Sequence, residues 1–296
     1  MPENKQIKTN YRQEIFRHLD GLVTAPIMHS LSQQGVLQVL SSEKSIKLSE
    51  LSRQFSANEG YLNVALHALC SQSWAQQEII HKGEDIIFRL SPEGVAALNL
   101  VDWYTPSVEW LLQASDENKD LLSHASFVYW KKAVSHFKSL PEGRTNSIEF
   151  QIQKHIEGLL LGPMVVHLGM GGMFHKYFME ASFSPGEFHK DPLNFKDLLD
   201  FLVHLKWFTA KKDTYSFTDK GLFFAKRASA YGVTVSYLPT FRQLKELIFG
   251  NPLLLKPNSM GSKELHVDRE MNVWGSGGAH ATYFKKIDEV IINLFN

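Results

Sequence analysis

The chain has 296 residues, with 31 Lys and Arg against 31 Asp and Glu, so its formal charge is zero. Hydrophobic residues make up 44% and charged residues 21%, which excludes a disordered acidic tail, a collagen-like fibre and a disulfide-stapled miniprotein. Balanced charge argues against a protein that coats nucleic acid or an anionic membrane. The single cysteine, Cys70, excludes internal disulfides and CxxC metal sites and fits a reducing compartment, so a cytoplasmic location is expected.

Met1 to Asn10 is polar and lacks the apolar stretch of a signal peptide. The central run free of Asp, Glu, Lys and Arg, Gly158 to His175, holds five glycines and Pro163 and reads as a buried helix pair rather than a membrane span. The chain also matches itself. Ala25 to Leu37 aligns with Gly162 to Phe174, placing Pro26 on Pro163, Leu31 on Leu168 and Gly35 on Gly172. Leu66, Leu69 and Trp74 fall on Leu199, Leu202 and Trp207, and Phe88 to Gly94 aligns with Tyr215 to Gly221.

Each copy predicts the same elements in the same order. An apolar helix opens just after the proline, where the first helical turn tolerates it. A short helix follows, Leu48 to Phe55 in the first copy, and then a second with Tyr61, Leu62, Ala65, Leu66 and Leu69 at helical spacing. Two strands, Ala75 to His81 and Asp85 to Leu90, flank a hairpin tip at Lys82 to Glu84. Ser91 then caps another helix, with Pro92 in its first turn. In the second copy Lys211 to Asp213 is the tip and Thr218 the cap. Three helices and a two-stranded wing make a winged-helix module, here present twice.

The expected fold is mainly α with small β wings, tandem winged-helix repeats joined by a helical segment, and no Rossmann-type catalytic domain. The expected domains are residues 1–100, a helical connector over 101–161 broken at Pro141 to Gly143, a second winged helix over 162–250, and a linker and connecting helix over 251–296. That last helix carries Tyr283, Phe284, Ile287, Val290, Ile291 and Leu294 on one apolar face.

Winged helices suggest DNA, but the would-be recognition helices are poor in cations. Asn58 to Trp74 has Glu59 and no Lys or Arg, and Asp191 to Trp207 sets Lys196 and Lys206 against three aspartates. Val165 to Gly172 superficially resembles a cofactor loop, yet His167 and Leu168 stand where an acid precedes the first glycine, so a helix is expected. Trp274-Gly-Ser-Gly-Gly278 reads as a loop ahead of a helix, either a flexible linker with a tryptophan anchor or a loop able to aim backbone N–H groups at an anionic or polar ligand. No HExxH and no paired spacing with carboxylates marks a metal site among the thirteen histidines, and His67, His167 and His204 read as core or interface residues. Cys70, among Leu66, Leu69 and Trp74, reads as a small core residue.

Paired winged helices followed by Asp268-Arg-Glu-Met-Asn-Val-Trp-Gly-Ser-Gly-Gly-Ala-His-Ala-Thr-Tyr-Phe284 resemble the region preceding the catalytic domain of class I S-adenosylmethionine-dependent methyltransferases, including those embedded in polyketide synthases. The resemblance implies a non-catalytic N-terminal region serving dimerisation and the lid of a pocket for a small or carrier-bound substrate. It further implies a homodimer, a catalytic domain missing from this chain or separate from it, and no nucleic-acid or membrane partner. Trp274, Gly275, Ser276, Gly277 and His280 would line the cofactor pocket, with S-adenosylmethionine bound only in the full-length enzyme and no metal or cofactor held by this chain alone. The alternative is a winged-helix transcriptional regulator, supported by Lys82, Lys211 and Lys212 at the wing tips.

Overall fold

The computed structural model describes residues 2–80, 85–114, 121–122, 124–174, 179, 181–256 and 264–295. Helix α1 (Pro2–Gln33) is followed by α2 (Val36–Ser42), the two-residue strand β1 (Ile46–Lys47), α3 (Leu48–Phe55) and α4 (Glu59–Ser71). Strands β2 (Ala75–Ile80) and β3 (Asp85–Leu90) pair antiparallel, and β1 adds to the free side of β3 in the order β1-β3-β2. Helix α5 (Pro92–Asn99), a 3-10 turn over Val101–Tyr104, α6 (Thr105–Gln113) and α7 (His124–Ser139) lead to the long α8 (Ile148–Met170). The second half, opened by α8, continues with α9 (Pro185–Phe188), α10 (Pro192–His204), the hairpin β4 (Phe208–Lys211) and β5 (Thr214–Phe217), and α11 (Asp219–Ala225). Then come α12 (Ser229–Ser236), α13 (Leu238–Arg242), α14 (Leu244–Phe249) and the terminal α15 (Arg269–Phe295). Helix dominates, and the described strands all lie in two small antiparallel sheets. Among the described residues no helix is long and apolar enough to cross a membrane.

Local chemistry sets most borders. Asn58, Ser91, Ser147, Asp191 and Thr218 each accept a hydrogen bond from a first-turn backbone N–H, satisfying a donor the helix leaves open. The expected hairpin tip Lys82 to Glu84 lies outside the described residues. In the second hairpin Lys212 turns the chain at φ 56°.

The prolines correct the sequence reading. Pro26 and Pro163 do not open helices; each sits inside one, α1 and α8. Where a helix pair is expected over Gly158 to His175, one helix continues from the connector as far as Met170, the 161/162 boundary falls within it, and His175 lies outside the described residues. An interior proline forfeits a hydrogen bond and costs about 3 kcal/mol. Burial of Leu159, Leu160, Leu161, Met164, Val165 and Val166 around Pro163 offsets that loss.

Corresponding features recur in the two halves. Gly35 and Gly172 end the long helices at φ 84° and 81°. Ile46 pairs with Phe88, and Phe183 bridges Tyr215. Ser73 and Lys206 turn the chain at φ 62° and 63° just before the buried Trp74 and Trp207. A Cβ on Gly94 would strike the Trp74 carbonyl, and one on Gly221 the Trp207 carbonyl.

The halves join where α1 crosses α8. A Cβ on Gly21 would lie on the backbone of His155, and one on Gly158 on the backbone of His18, so each helix needs a glycine where the other passes. Gly158→Ala is expected to destabilise the chain by about 2–3 kcal/mol, because two packed backbones must separate. Gly60→Ala, with no neighbour nearer than 3.4 Å, is expected to leave stability unchanged or to raise it by about 0.5–1 kcal/mol. Urea unfolding of the two variants checks the opposite signs, and equal effects would refute the close crossing.

Candidate functional site

The five residues expected to line a cofactor pocket all lie on α15, and the expected glycine loop is helical. Asp268 explains why. Its Oδ1 accepts from the Met271 N–H at 3.0 Å, so the helix starts at Arg269, ahead of Trp274. The start is tied to α12: the Asp268 N–H donates to the Ser236 carbonyl at 2.8 Å, and Asn272 Nδ2 donates to Ser236 Oγ at 3.0 Å. Backbone N–H groups expected to face a ligand are thus placed within a helix.

The glycines in this stretch differ in role. Gly275 is buried against α12, where a Cβ would come within 2.6 Å of the Val233 N and one on Gly232 within 2.6 Å of the Gly275 Cα. This is a second close crossing of the kind seen between α1 and α8. Trp274 wedges beside it, its ring 3.0 Å from Cβ positions on both Gly169 and Gly232. Ser276 Oγ donates back to the Asn272 carbonyl at 2.8 Å. Gly277 faces open space, and His280 is exposed, its ring near those of Tyr283 and Phe284 on its own helix. The structure gathers Trp274 and Gly275 into one packed contact and leaves Gly277 and His280 outside it.

Beyond that anchor α15 leaves the body. Tyr283, Phe284, Ile287, Val290, Ile291 and Leu294 are exposed, Leu294 by 76%. The expected apolar face is present and uncovered among the described residues.

Sequence reasoning missed a buried polar cluster at the α1–α8 crossing. His18 and His155 are fully buried, whereas His67 and His204 are exposed and His167 is half-buried. His18 Nδ1 lies 2.7 Å from the Tyr231 hydroxyl, and His155 Nδ1 lies 2.7 Å from that of Tyr104. Each histidine therefore reaches a tyrosine contributed by the other half. His18 Nε2 is 3.3 Å from Glu157 Oε1, in ion-pair range but off hydrogen-bond geometry. Lys154 donates to Glu157 at 2.5 Å and to Glu14 at 3.0 Å, and Lys220 donates to Glu14 at 2.8 Å. Burial disfavours the Glu157 charge, but Lys154, His18 and Lys220 outweigh it and hold the carboxyl well below its ordinary range. Burial likewise opposes the Lys154 charge, and Glu157 and Glu14 overcome it and raise its pKa.

Glu14, His18 and Glu157 bring possible ligand atoms within 4.8 Å of one another, so the one-turn spacing of Glu14 and His18 is a carboxylate pairing that the sequence reading overlooked. The donor set does not fit a cation. Both carboxylates are already neutralised by lysines, and a metal would have to displace those two partly buried ammonium groups. The cluster is a charge-balanced lock between the halves. Cys70 is half-buried beside the core, and burial raises its thiol pKa.

Three family models match the chain. Residues 11–77 match the AprA N-terminal domain, residues 157–251 the AprA winged helix domain, and residues 264–296 an AprA MT2-like domain. No curated protein matches it. The winged-helix match runs from within α8 through α14, and the MT2-like match covers α15 from its start. Taken in this order along one chain, the matches support an AprA-type methyltransferase region.

Proposed function

We propose that the chain is the non-catalytic N-terminal region of an S-adenosylmethionine-dependent methyltransferase, in which two winged-helix modules dimerise and shape the lid of a pocket for a small or carrier-bound substrate. The observation that carries this reading is α15. Its first turns are wedged into the winged-helix region by Trp274 and Gly275, while its last turns present an uncovered apolar face, and the MT2-like match spans both. A helix so divided suits a connector, with one end fixed to the accessory body and the other docked on a methyltransferase core. The recurrence of hairpin, capped helix and buried tryptophan in both halves supports two modules, with units near 1–100, 101–161, 162–250 and 251–296.

Two measurements test the reading. Calorimetry with S-adenosylmethionine is expected to give no binding to the 296-residue chain alone; micromolar binding would place a complete cofactor site here and overturn the accessory role. Sedimentation equilibrium is expected to give a symmetric dimer of twice 33.8 kDa, built chiefly from the N-terminal and middle helices. Exposed Phe16 on α1 and Val128 and Tyr129 on α7 supply apolar surface for it. A monomer at tens of micromolar would remove the dimer from the proposal.

The transcriptional-regulator alternative retains little. On α10, Lys196 pairs with Asp200 at 2.7 Å and Asp197 takes Lys131 at 2.6 Å, so the helix offers phosphate no surplus charge there. Exposed Lys211 and Lys212 remain on the second wing. Salt-sensitive micromolar binding in a low-salt filter assay would restore that alternative.

A further inference from the structure

Helix α15 has two faces that point in opposite directions. Met271, Trp274, Gly275 and Gly278, at one-turn spacing, form the face packed on the body. Met271 and Trp274 lie against the core, Gly275 is buried on α12, and a Cβ on Gly278 would come within 2.5 Å of Ser229 Oγ. His280, Tyr283, Phe284 and Ile287 each follow one of these four by nine residues, about two and a half helical turns. The uncovered apolar face is therefore turned directly away from the winged-helix body, and an unbroken helix cannot lay it back there.

The period of that face indicates what covers it. Val273, His280, Ile287 and Leu294 recur every seven residues, and His280, Phe284, Ile287, Ile291 and Leu294 alternate steps of four and three. A seam with this heptad period stays in contact with a second helix of the same period along its whole length. The matching seam is present in α15 of a second copy of the chain. Charge favours a parallel pair. With the seam buried, exposed Lys285, Lys286 and Glu289 fall on the outer faces of both helices, and Asp288 flanks the seam beside the second copy's Tyr283, whose hydroxyl is a donor. The antiparallel register that buries most of the seam instead sets Asp288 against its own counterpart. The two bodies also stay clear of each other, since each is attached to the far side of its own helix.

We propose that two copies of the chain associate through a parallel pair of α15 helices, sealed by Phe284, Ile287, Ile291 and Leu294. The six side chains of the apolar face are exposed by 46–76%, so each copy has on the order of 600 Å² to bury. A standard interface buries about 800 Å² per partner, so this pair is weak and concentration-dependent. The contact lies apart from the apolar surface of α1 and α7. The inference does not rest on the methyltransferase reading, and a methyltransferase core would compete with the second copy for this face.

Sedimentation equilibrium of the 296-residue chain is expected to give a dimer with a dissociation constant at or below about 100 μM. Ile287→Glu changes an exposed side chain and should leave the fold intact, which circular dichroism checks; it is expected to weaken the dimer at least tenfold. Oxidative cross-linking in a Cys70→Ala background reads the orientation. Phe284→Cys and Leu294→Cys are each expected to cross-link to their own kind. A chain that stays monomeric at about 300 μM would overturn the proposal. A dimer that survives Ile287→Glu would belong to α1 and α7, and would overturn this inference while leaving the methyltransferase reading intact. Cross-links formed only when the two cysteine variants are mixed would overturn the parallel arrangement.

Discussion

Glu157→Ala is expected to destabilise the chain by about 3–5 kcal/mol, because removing one member of a buried ion network strands the others. Lys154 would lose its 2.5 Å partner and keep only Glu14, which it shares with Lys220. His18 Nε2, already off hydrogen-bond geometry, would face an empty space. Glu157→Gln keeps the volume and one acceptor, so it should cost less. The pH dependence of the difference identifies the charge as the cause. The Glu157 pKa is depressed in the fold, so its stabilisation is present above the ordinary carboxylate range. It fades below about pH 4.3, where the unfolded chain takes up a proton that the folded chain refuses. The gap between wild type and Glu157→Gln should be flat from pH 8 to pH 5 and narrow below that. Urea midpoints across this range measure it, and a loss under about 1 kcal/mol for Glu157→Ala would show that the cluster is not a lock.

How far such a lock is legible in sequence depends on whether its signal is local. The helix Leu48–Phe55 and the strand Asp85–Leu90 are legible to the residue, and the first strand in its start at Ala75, its expected end at His81 lying outside the described residues, because side-chain periodicity and turn chemistry act over a few positions. Ser91 and Thr218 were legible as caps for the same reason. The prolines misled because one residue has two meanings. Proline suits a first turn, but it also survives inside a helix when flanking side chains are buried deeply enough, and only the tertiary structure decides. The glycines of α15 misled similarly. Gly275 looked like loop flexibility, yet a helix that must touch another backbone at Gly232 requires the same residue.

The histidines show what closer reading could have found. His18 and Gly21 stand at the same spacing as His155 and Gly158, at the 137-residue offset already seen for Pro26 and Pro163. Tyr104 and Tyr231 share the 127-residue offset of Gly94 and Gly221. Extending the internal match toward the N-terminus would have singled out these two histidines rather than His67, His167 and His204. The partners themselves were not legible, because which tyrosine meets which histidine depends on the crossing of α1 and α8.

That crossing predicts a marked acid sensitivity centred on His155. The ring is fully buried, stacked on Tyr104 and tilted against Trp74, with Nε2 lacking a hydrogen-bond partner among the described residues. Burial, together with His18 and Arg17, pushes its pKa down to about 3. Burial also raises the Tyr104 pKa well above its ordinary value, so that hydroxyl stays protonated and can donate to Nδ1. Because the folded pKa is depressed, the stability contributed by the neutral ring is present above about pH 6.5. It is lost as the pH falls toward 3, since the unfolded chain then binds a proton that the fold excludes. The loss from this residue is roughly 1.4 kcal/mol per pH unit, or about 2 kcal/mol between pH 6.5 and pH 5. His155→Gln removes the titration while keeping an acceptor for the Tyr104 hydroxyl. Wild type should therefore lose about 2 kcal/mol more than His155→Gln over that interval, read from urea midpoints with both proteins confirmed folded at pH 7.5. Parallel slopes in the two proteins would mean that His155 takes up its proton inside the fold, and the closed crossing of α1 and α8 would have to be abandoned.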